Sequence, residues 1–213
     1  MTNFDAVDAT ETAAAKMAAR RDRLERAIAH DKTVGKTLKW TQTLAHYDRI
    51  CQAIARLATR GTYPTDEGDR IALMVAGLQP HDEIVRDALL SRAATGTEVD
   101  AAEKLFEYLA RVTPAPYCAR PATMAGFVAY MRGNVDRARV MLQLAIKAAP
   151  DDSFASLIAE VVADDLPRAA LLKTVTVKLS PPAQRLIEWE TSCGIDYREI
   201  AMRDDDATGP ETI

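Results

Sequence analysis

The chain contains few of the residues that mark secreted, β-rich or membrane proteins. Cys51, Cys118 and Cys193 are far apart and odd in number, which argues against a disulfide framework and fits a reducing cytoplasm. Aromatic residues make up only 6% of the chain while alanine is abundant, which favours closely packed helices over a β-sandwich. No apolar run approaches the roughly 20 residues that cross a bilayer, and the N-terminus lacks a signal-peptide apolar stretch. We therefore expect a cytoplasmic protein with no membrane partner.

The chain also has no strong excess of positive or negative residues. The formal net charge of the 213 residues is −4, so no overall basic field draws the protein to nucleic acid or membrane. Apolar residues make up 48% of the chain, enough for a hydrophobic core. The length fits one large domain, or one domain with an extended arm.

Patterns typical of catalysis are missing. Gly35-Lys36-Thr37 resembles the end of a phosphate-binding loop, but His30 stands where the first glycine of that motif belongs. His30, His46 and His81 are isolated in the sequence, no cysteine pair has zinc spacing, and no Gly-x-Ser-x-Gly is present. Cys51 lies on an apolar stripe, where a packed thiol is commoner than a reactive one. We expect no enzyme, no cofactor and no metal site.

Hydrophobic spacing of three and four residues predicts helices along most of the chain. The second of two N-terminal helices covers residues 36–60 and ends at Gly61. Later helices begin at a cap formed by Thr65 with two acidic residues after it, at Pro80, and at a capping box that starts with Thr97. Residues 173–179 alternate apolar and polar side chains, but a single strand has no partner, so we expect an extended connector. The predicted segments are a disordered N-terminus (1–12), charged N-terminal helices (13–62), a helical domain (63–167), a C-terminal extension with one helix (168–202) and an acidic tail (203–213).

Residues 119–152 carry the clearest motif. Small residues occur where two antiparallel helices must touch, Gly133-Asn134 marks the turn, and Pro150 ends the second helix. Gly126, Gly133, Ala138, Ala145 and Pro150 fit the pattern of a tetratricopeptide-like unit, and weaker versions of it flank this one. The predicted fold is therefore all-α, with antiparallel helical hairpins stacked as a short tetratricopeptide-like array.

Part of the chain also resembles a known family. Residues 57–167 are similar to the C-terminal half of a family of unknown function from actinobacteria and their phages and plasmids. The resemblance rests on residues 84–90, Leu109-Ala110-Arg111, residues 124–150 and Asp165-Leu166-Pro167. In longer members an α/β half comes first, which charged helices replace here. The resemblance implies a fold and a source, and it carries no activity.

The likeness to tetratricopeptide units implies a non-catalytic role in binding a protein or peptide. The groove of such units lies on the first helix, and the corresponding side chains are Arg120, Thr123, Phe127, Tyr130 and Met131. Packing of Phe127 and Met131 against a neighbouring unit is an equally good interpretation.

Residues 16–40 support an alternative, a nucleic-acid-associated protein. Basic residues outnumber acidic ones there. Arginine side chains could neutralise phosphates, and a tryptophan could stack on a base. The candidate residues are Arg20, Arg21, Arg23, Arg26 and Trp40. Ion pairs on a solvated helix face explain the same residues and are favoured by the negative net charge. The long N-terminal helices also leave room for a homo-oligomer, although their apolar faces are too irregular to predict a coiled coil.

Overall fold

In the computed structural model, which describes residues 4–78, 83–177 and 179–203, every regular element of the described chain is a helix. The predicted all-α class is therefore confirmed. The helices are α1 (Phe4–Arg60), α2 (Glu67–Leu78), α3 (Glu83–Thr95), α4 (Val99–Val112), α5 (Ala119–Met131), α6 (Val135–Ala148), α7 (Ser153–Ala163), α8 (Arg168–Val177), α9 (Pro181–Ser192) and α10 (Tyr197–Arg203). None of the helices in these ranges is long and apolar enough to cross a membrane.

Helix α1 folds back on itself near its middle. The side-chain amide of Gln42 donates to the backbone carbonyl of Asp31 at 2.9 Å, and Nε2 of His46 lies 3.1 Å from the Asp31 carboxylate. In a straight helix Asp31 and His46 would be about 22 Å apart, because each residue adds about 1.5 Å. The helix therefore has two arms that lie against each other, with the bend between residues 31 and 42.

The N-terminal segment differs from the sequence prediction in two ways. The helical backbone begins at Phe4, inside the segment that composition predicted to be disordered. The two predicted helices form one element, with the bend close to the predicted break. Gly61 ends α1 as predicted, with a φ of +66° and a hydrogen bond from its N–H to the carbonyl of Leu57.

Helix starts after α1 are partly as predicted. The carboxylate of Asp66 accepts from the backbone N–H of Asp69 at 2.9 Å and so caps α2. The capping box at Thr97 is wrong, because the residue at the N-cap position of α4 is Glu98, whose side chain makes no capping bond. Thr97 instead accepts a hydrogen bond from Arg198 at 2.8 Å. The predicted start at Pro80 lies outside the described residues.

Helices α5 and α6 form the hairpin that the motif predicts. The turn between them is three residues long, which makes the helices antiparallel neighbours. Gly133 has a φ of +88°, and the side chain of Asn134 caps α6 by accepting from the N–H of Arg137. A Cβ at Gly126 would lie 2.8 Å from Cγ of Leu142 and 3.2 Å from the carbonyl oxygen of Ala138. The small residue is therefore required by the close approach of the two helices.

Helix α5 lies at the centre of the fold. All of its residues from Ala119 to Tyr130 are buried, because α3, α4, α6, α7 and α8 pack around it. In a regular solenoid each repeat contacts only its neighbours, so a helix enclosed on all sides indicates a more globular arrangement. The tetratricopeptide-like stacking of the array remains a prediction.

The C-terminal part is more helical than the sequence predicts. Residues 168–177 form α8, so the extended connector predicted over residues 173–179 is wrong for this part. The extension also has three helices, α8, α9 and α10, rather than one. Helix α9 begins where the Ser180 hydroxyl accepts from the N–H of Ala183, and Gly194 follows the helix with a φ of +61°. Beyond Arg203 the predicted acidic tail lies outside the described residues.

Candidate binding cleft

An open cleft of about 580 Å³ lies where the second arm of α1, the end of α3, the α3–α4 loop, α9 and α10 meet. We call it the Arg92 cleft. Apolar side chains line part of it, including Ile54, Ala102 and Ile187. Its volume falls within the range of about 300–1,000 Å³ that is usual for ligand pockets. Charged and aromatic side chains from several helices converge here.

Arg92, near the end of α3, is the centre of the polar groups. Its guanidinium makes an ion pair with Glu98 at 3.0 Å and a second, short one with Glu190 of α9. The other carboxylate oxygen of Glu190 accepts a hydrogen bond from the Tyr47 hydroxyl at 2.6 Å. Glu190 therefore joins α9 to both α3 and α1.

Helix α10 adds a second set of contacts to the same cluster. The ring of Tyr197 lies 5.2 Å from the guanidinium carbon of Arg92, a cation–π distance. Arg198 contacts the second oxygen of Glu98 at 3.3 Å. Two arginines thus face two glutamates, so the charges of this cluster balance. The Arg198 side chain is 47% exposed, which makes its ion pair the one most open to water.

Tyr47 and Tyr197 line the cleft, the Cys51 thiol is buried next to Tyr47, and all three groups are held in their protonated forms. Burial raises the pKa of the Cys51 thiol to about 12 and also raises the pKa values of the Tyr47 and Tyr197 phenols. A nucleophilic cysteine needs a lowered pKa, which a nearby cation supplies only when burial does not dominate. At Cys51 burial is the larger effect, although Arg92 acts in the opposite direction. This arrangement suits binding better than proton transfer near neutral pH.

A second cavity, of about 530 Å³, lies between the two arms of α1 and α2. His30, Asp31 and His46 line it, so the fold brings together two of the histidines that are isolated in the sequence. Asp31 already binds Gln42 and His46, which holds the two arms together. Among the described residues no group of three or more His, Cys, Asp or Glu side chains is arranged to hold a metal ion.

The structure does not place the five predicted groove residues on an open surface. Arg120, Thr123, Phe127 and Tyr130 are buried, and Met131 is partly buried. The Tyr130 hydroxyl donates to the carbonyl of Leu166 at 2.5 Å, and Arg168 lies over its ring. The prediction of a binding groove at these side chains is therefore corrected, because neighbouring helices cover both faces of α5. Phe127 and Met131 pack against neighbouring helices, which is the alternative interpretation of these two residues.

The basic candidates on α1 separate into two groups. Arg20 binds both oxygens of Glu67, at 2.6 and 2.9 Å, and the carbonyl of Val112 at 2.8 Å, so it ties α1 to α2 and to the end of α4. Arg21, Arg23 and Arg26 are exposed. Trp40 is 39% exposed, with the guanidinium carbon of Arg185 5.3 Å from its ring centroid. A base stacking on that indole would have to share it with Arg185.

Sequence reasoning missed the residues of the Arg92 cleft. Tyr47 fits an apolar stripe, and Glu98 fits the acidic start of a helix, so each had an ordinary explanation. Tyr47 and Glu190 are 143 residues apart in the chain, a distance over which spacing carries no information.

Comparison with known proteins shows which family the chain belongs to. A family model described as a domain of unknown function, DUF4192, matches residues 1–168. The chain belongs to this family. The match begins at residue 1, so it includes α1, which the resemblance drawn from residues 57–167 left out. No curated protein and no solved structure matches the chain significantly. Helices α9 and α10 lie beyond the matched residues.

Proposed function

We propose that the chain is a non-catalytic helical module that binds a protein or peptide partner at the Arg92 cleft. The observation that carries this proposal is the convergence of Tyr47, Arg92, Glu98 and Glu190 around an open cavity of about 580 Å³. Aromatic and arginine side chains are enriched at sites of protein recognition, because they combine large contact area with directional hydrogen bonds. The raised pKa of Cys51 and of both phenols favours recognition over catalysis.

We propose a cytoplasmic accessory factor of an actinobacterium or of its mobile elements, built from tetratricopeptide-like hairpins that correspond to the C-terminal half of longer relatives. The binding surface proposed from the sequence moves from α5 to the cleft. Residues 95–97 form an exposed rim there, and a segment of a partner would meet this rim before the charged cluster.

Affinity capture from a lysate of the native host, treated with nuclease, tests the proposal. The informative variant is Thr95→Lys, which places a long charged side chain at the mouth of the cleft. Thr59→Lys is a matched control: both threonines are exposed, and each donates its hydroxyl to the carbonyl four residues earlier, at 2.8 and 2.9 Å. We expect captured proteins to be lost with Thr95→Lys and retained with Thr59→Lys. Equal capture by both variants would exclude the cleft as the binding surface.

A second candidate function, association with nucleic acid, rests on the exposure of Arg21, Arg23 and Arg26. Arg20 is not available for this role while it binds Glu67. A nucleic-acid binder would lose affinity steeply with salt and would lose it when Arg21, Arg23 and Arg26 are changed to glutamine. A partner protein bound at the cleft would be retained by that triple variant. The comparison therefore separates the two functions.

A further inference from the structure

The surface under α9 and α10 belongs to the family domain, whereas the helices that cover it do not. Tyr47, Arg92 and Glu98 lie within the matched residues 1–168. Their partners Glu190, Tyr197 and Arg198 all lie beyond residue 168. The family domain thus presents a hydroxyl, a cation and a carboxylate to a segment from outside it.

The segment contacts the family domain through directional hydrogen bonds and ion pairs. The two oxygens of Glu190 are divided between Arg92 and Tyr47, so that a single carboxylate satisfies groups on two helices. Tyr197 then covers the guanidinium of Arg92, and Arg198 binds Glu98. An uncharged side chain in place of Glu190 would leave the largely buried Tyr47 hydroxyl without this acceptor.

The segment is anchored by fewer buried apolar side chains than the centre of the fold. Helix α9 buries two side chains completely, those of Ala183 and Leu186. In α10, Tyr197 and Ala201 are buried, whereas Ile200 and Met202 are 36% and 59% exposed. In contrast, α5 is buried from Ala119 to Tyr130. Elements with few buried apolar contacts are the ones that open at low cost in free energy.

We infer that the surface formed by Tyr47, Arg92 and Glu98 is a docking site for a helical segment that brings a carboxylate, and that α9 and α10 are its internal occupant in this chain. The partner of the proposed function, on which this inference rests, is then a helical segment that carries a glutamate or aspartate for Arg92 and Tyr47, followed by an aromatic residue and a basic one. The open cleft is the part of the site that the internal segment leaves uncovered.

Binding of a fluorescent peptide with the sequence of residues 180–203 to the full chain tests this inference. The peptide competes with the chain's own segment, so its apparent affinity is reduced by the fraction of chains in which the site is occupied. Glu190→Ala weakens the internal segment, and we expect it to tighten peptide binding at least about tenfold relative to the unmodified chain. Glu188→Ala is the matched control, because Glu188 is exposed on the same helix, and it should leave the affinity unchanged.

A second peptide makes the carboxylate itself the variable. The same sequence with alanine in place of its glutamate at position 190 should bind the Glu190→Ala chain at least about tenfold more weakly. If Glu190→Ala does not fold, as judged by circular dichroism, Arg198→Ala weakens the segment at its exposed edge and should also tighten peptide binding. No saturable binding to a folded variant, or equal binding of the two peptides, would overturn the inference. Those outcomes leave the Thr95→Lys experiment intact, so failure of the two proposals can be told apart.

Discussion

At Gly126 the backbone of α5 comes close to α6, and a single methyl group has no free space there. A Cβ would lie 2.8 Å from Cγ of Leu142, and the nearby carbonyl oxygen of Ala138 belongs to backbone that cannot swing aside. Steric demand at this residue explains why the hairpin motif could be read from sequence: it depends on size at fixed spacing. The same motif says nothing about which helices pack on the outside of the hairpin.

Gly126→Val should therefore destabilise the protein by about 1–3 kcal/mol, as other overpacked cores do. The loss should appear even though valine has a slightly better helix propensity than glycine. Urea denaturation measures the free energy of unfolding. Ala58→Val, at an exposed position of α1, is the control and should cost less than about 0.7 kcal/mol. Equal stability of Gly126→Val and the unmodified chain would show that the helices are not in close contact at this point.

The three cysteines differ in their surroundings, and their reactivity should follow. Cys193 is exposed, whereas Cys51 and Cys118 are buried, and burial raises the pKa of both buried thiols. At pH 8 a disulfide reagent should react rapidly with one thiol of the native chain and with all three in urea. Cys193→Ser should remove the rapid phase. A rapidly reacting thiol in that variant would contradict the burial of Cys51 and Cys118.

The sequence does not distinguish a side chain in a binding groove from one in the core. Phe127 and Tyr130 have the character of a ligand groove, and the same character suits a helix enclosed on all sides. Residue type does not separate these cases, because recognition surfaces and cores are built from the same apolar and aromatic side chains. The deciding fact is that α3, α7 and α8 pack over α5. Those contacts connect residues far apart in the chain.

At the scale of elements, hydrophobic spacing predicted most helices but not their continuity. The helix start after Pro64 was predicted with Thr65 as its cap, but the capping carboxylate is that of Asp66. Gly133-Asn134 was predicted as a turn, and Asn134 also caps α6. The prediction was wrong at Thr97, because Arg198 from a distant helix binds that hydroxyl. It was also wrong where residues 173–177 alternate yet form part of α8. In both places the outcome depends on what the rest of the chain places nearby.

The junction between α1 and α2 should make stability depend on pH. The hydrogen bond from Arg20 lowers the pKa of the Glu67 carboxyl in the folded protein. A lowered pKa means that the stabilisation is present above the unfolded pKa of about 4.3 and is lost as pH falls through the folded value. We expect Glu67→Gln to cost about 1–2 kcal/mol at pH 7, less than the roughly 1.5–3 kcal/mol of a hydrogen bond to a charged group, because the glutamine can still accept from Arg20. The difference from the unmodified chain should shrink as pH falls below about 4.3.

Urea denaturation at a series of pH values between 7 and 3 measures this dependence. Glu160→Gln changes an exposed carboxylate on α7 and should alter the free energy of unfolding at pH 7 by less than about 0.5 kcal/mol. A difference between Glu67→Gln and the unmodified chain that stays constant down to pH 3 would contradict the role assigned to the Arg20–Glu67 pair.

At the scale of the whole molecule, the chain closes on itself through charged groups. The second arm of α1, the α3–α4 loop and the C-terminal helices meet at Arg92, so residues from the beginning, middle and end of the described chain build one site. The all-α class and the central hairpin could be predicted, because both are set by local spacing. The cleft could not, because its hydrogen bonds and ion pairs join residues up to 143 positions apart.

Photo-crosslinking in the native host is the most direct test of the central claim that the Arg92 cleft binds a partner. A photoreactive amino acid at position 95 lies at the mouth of the cleft, and the same amino acid at position 59 provides the matched exposed site elsewhere. The account predicts a discrete crosslinked protein from position 95 that survives nuclease treatment, is absent from position 59, and decreases when the peptide with the sequence of residues 180–203 is added to the lysate. Crosslinks that are identical at both positions, or that are confined to nucleic acid, would contradict it.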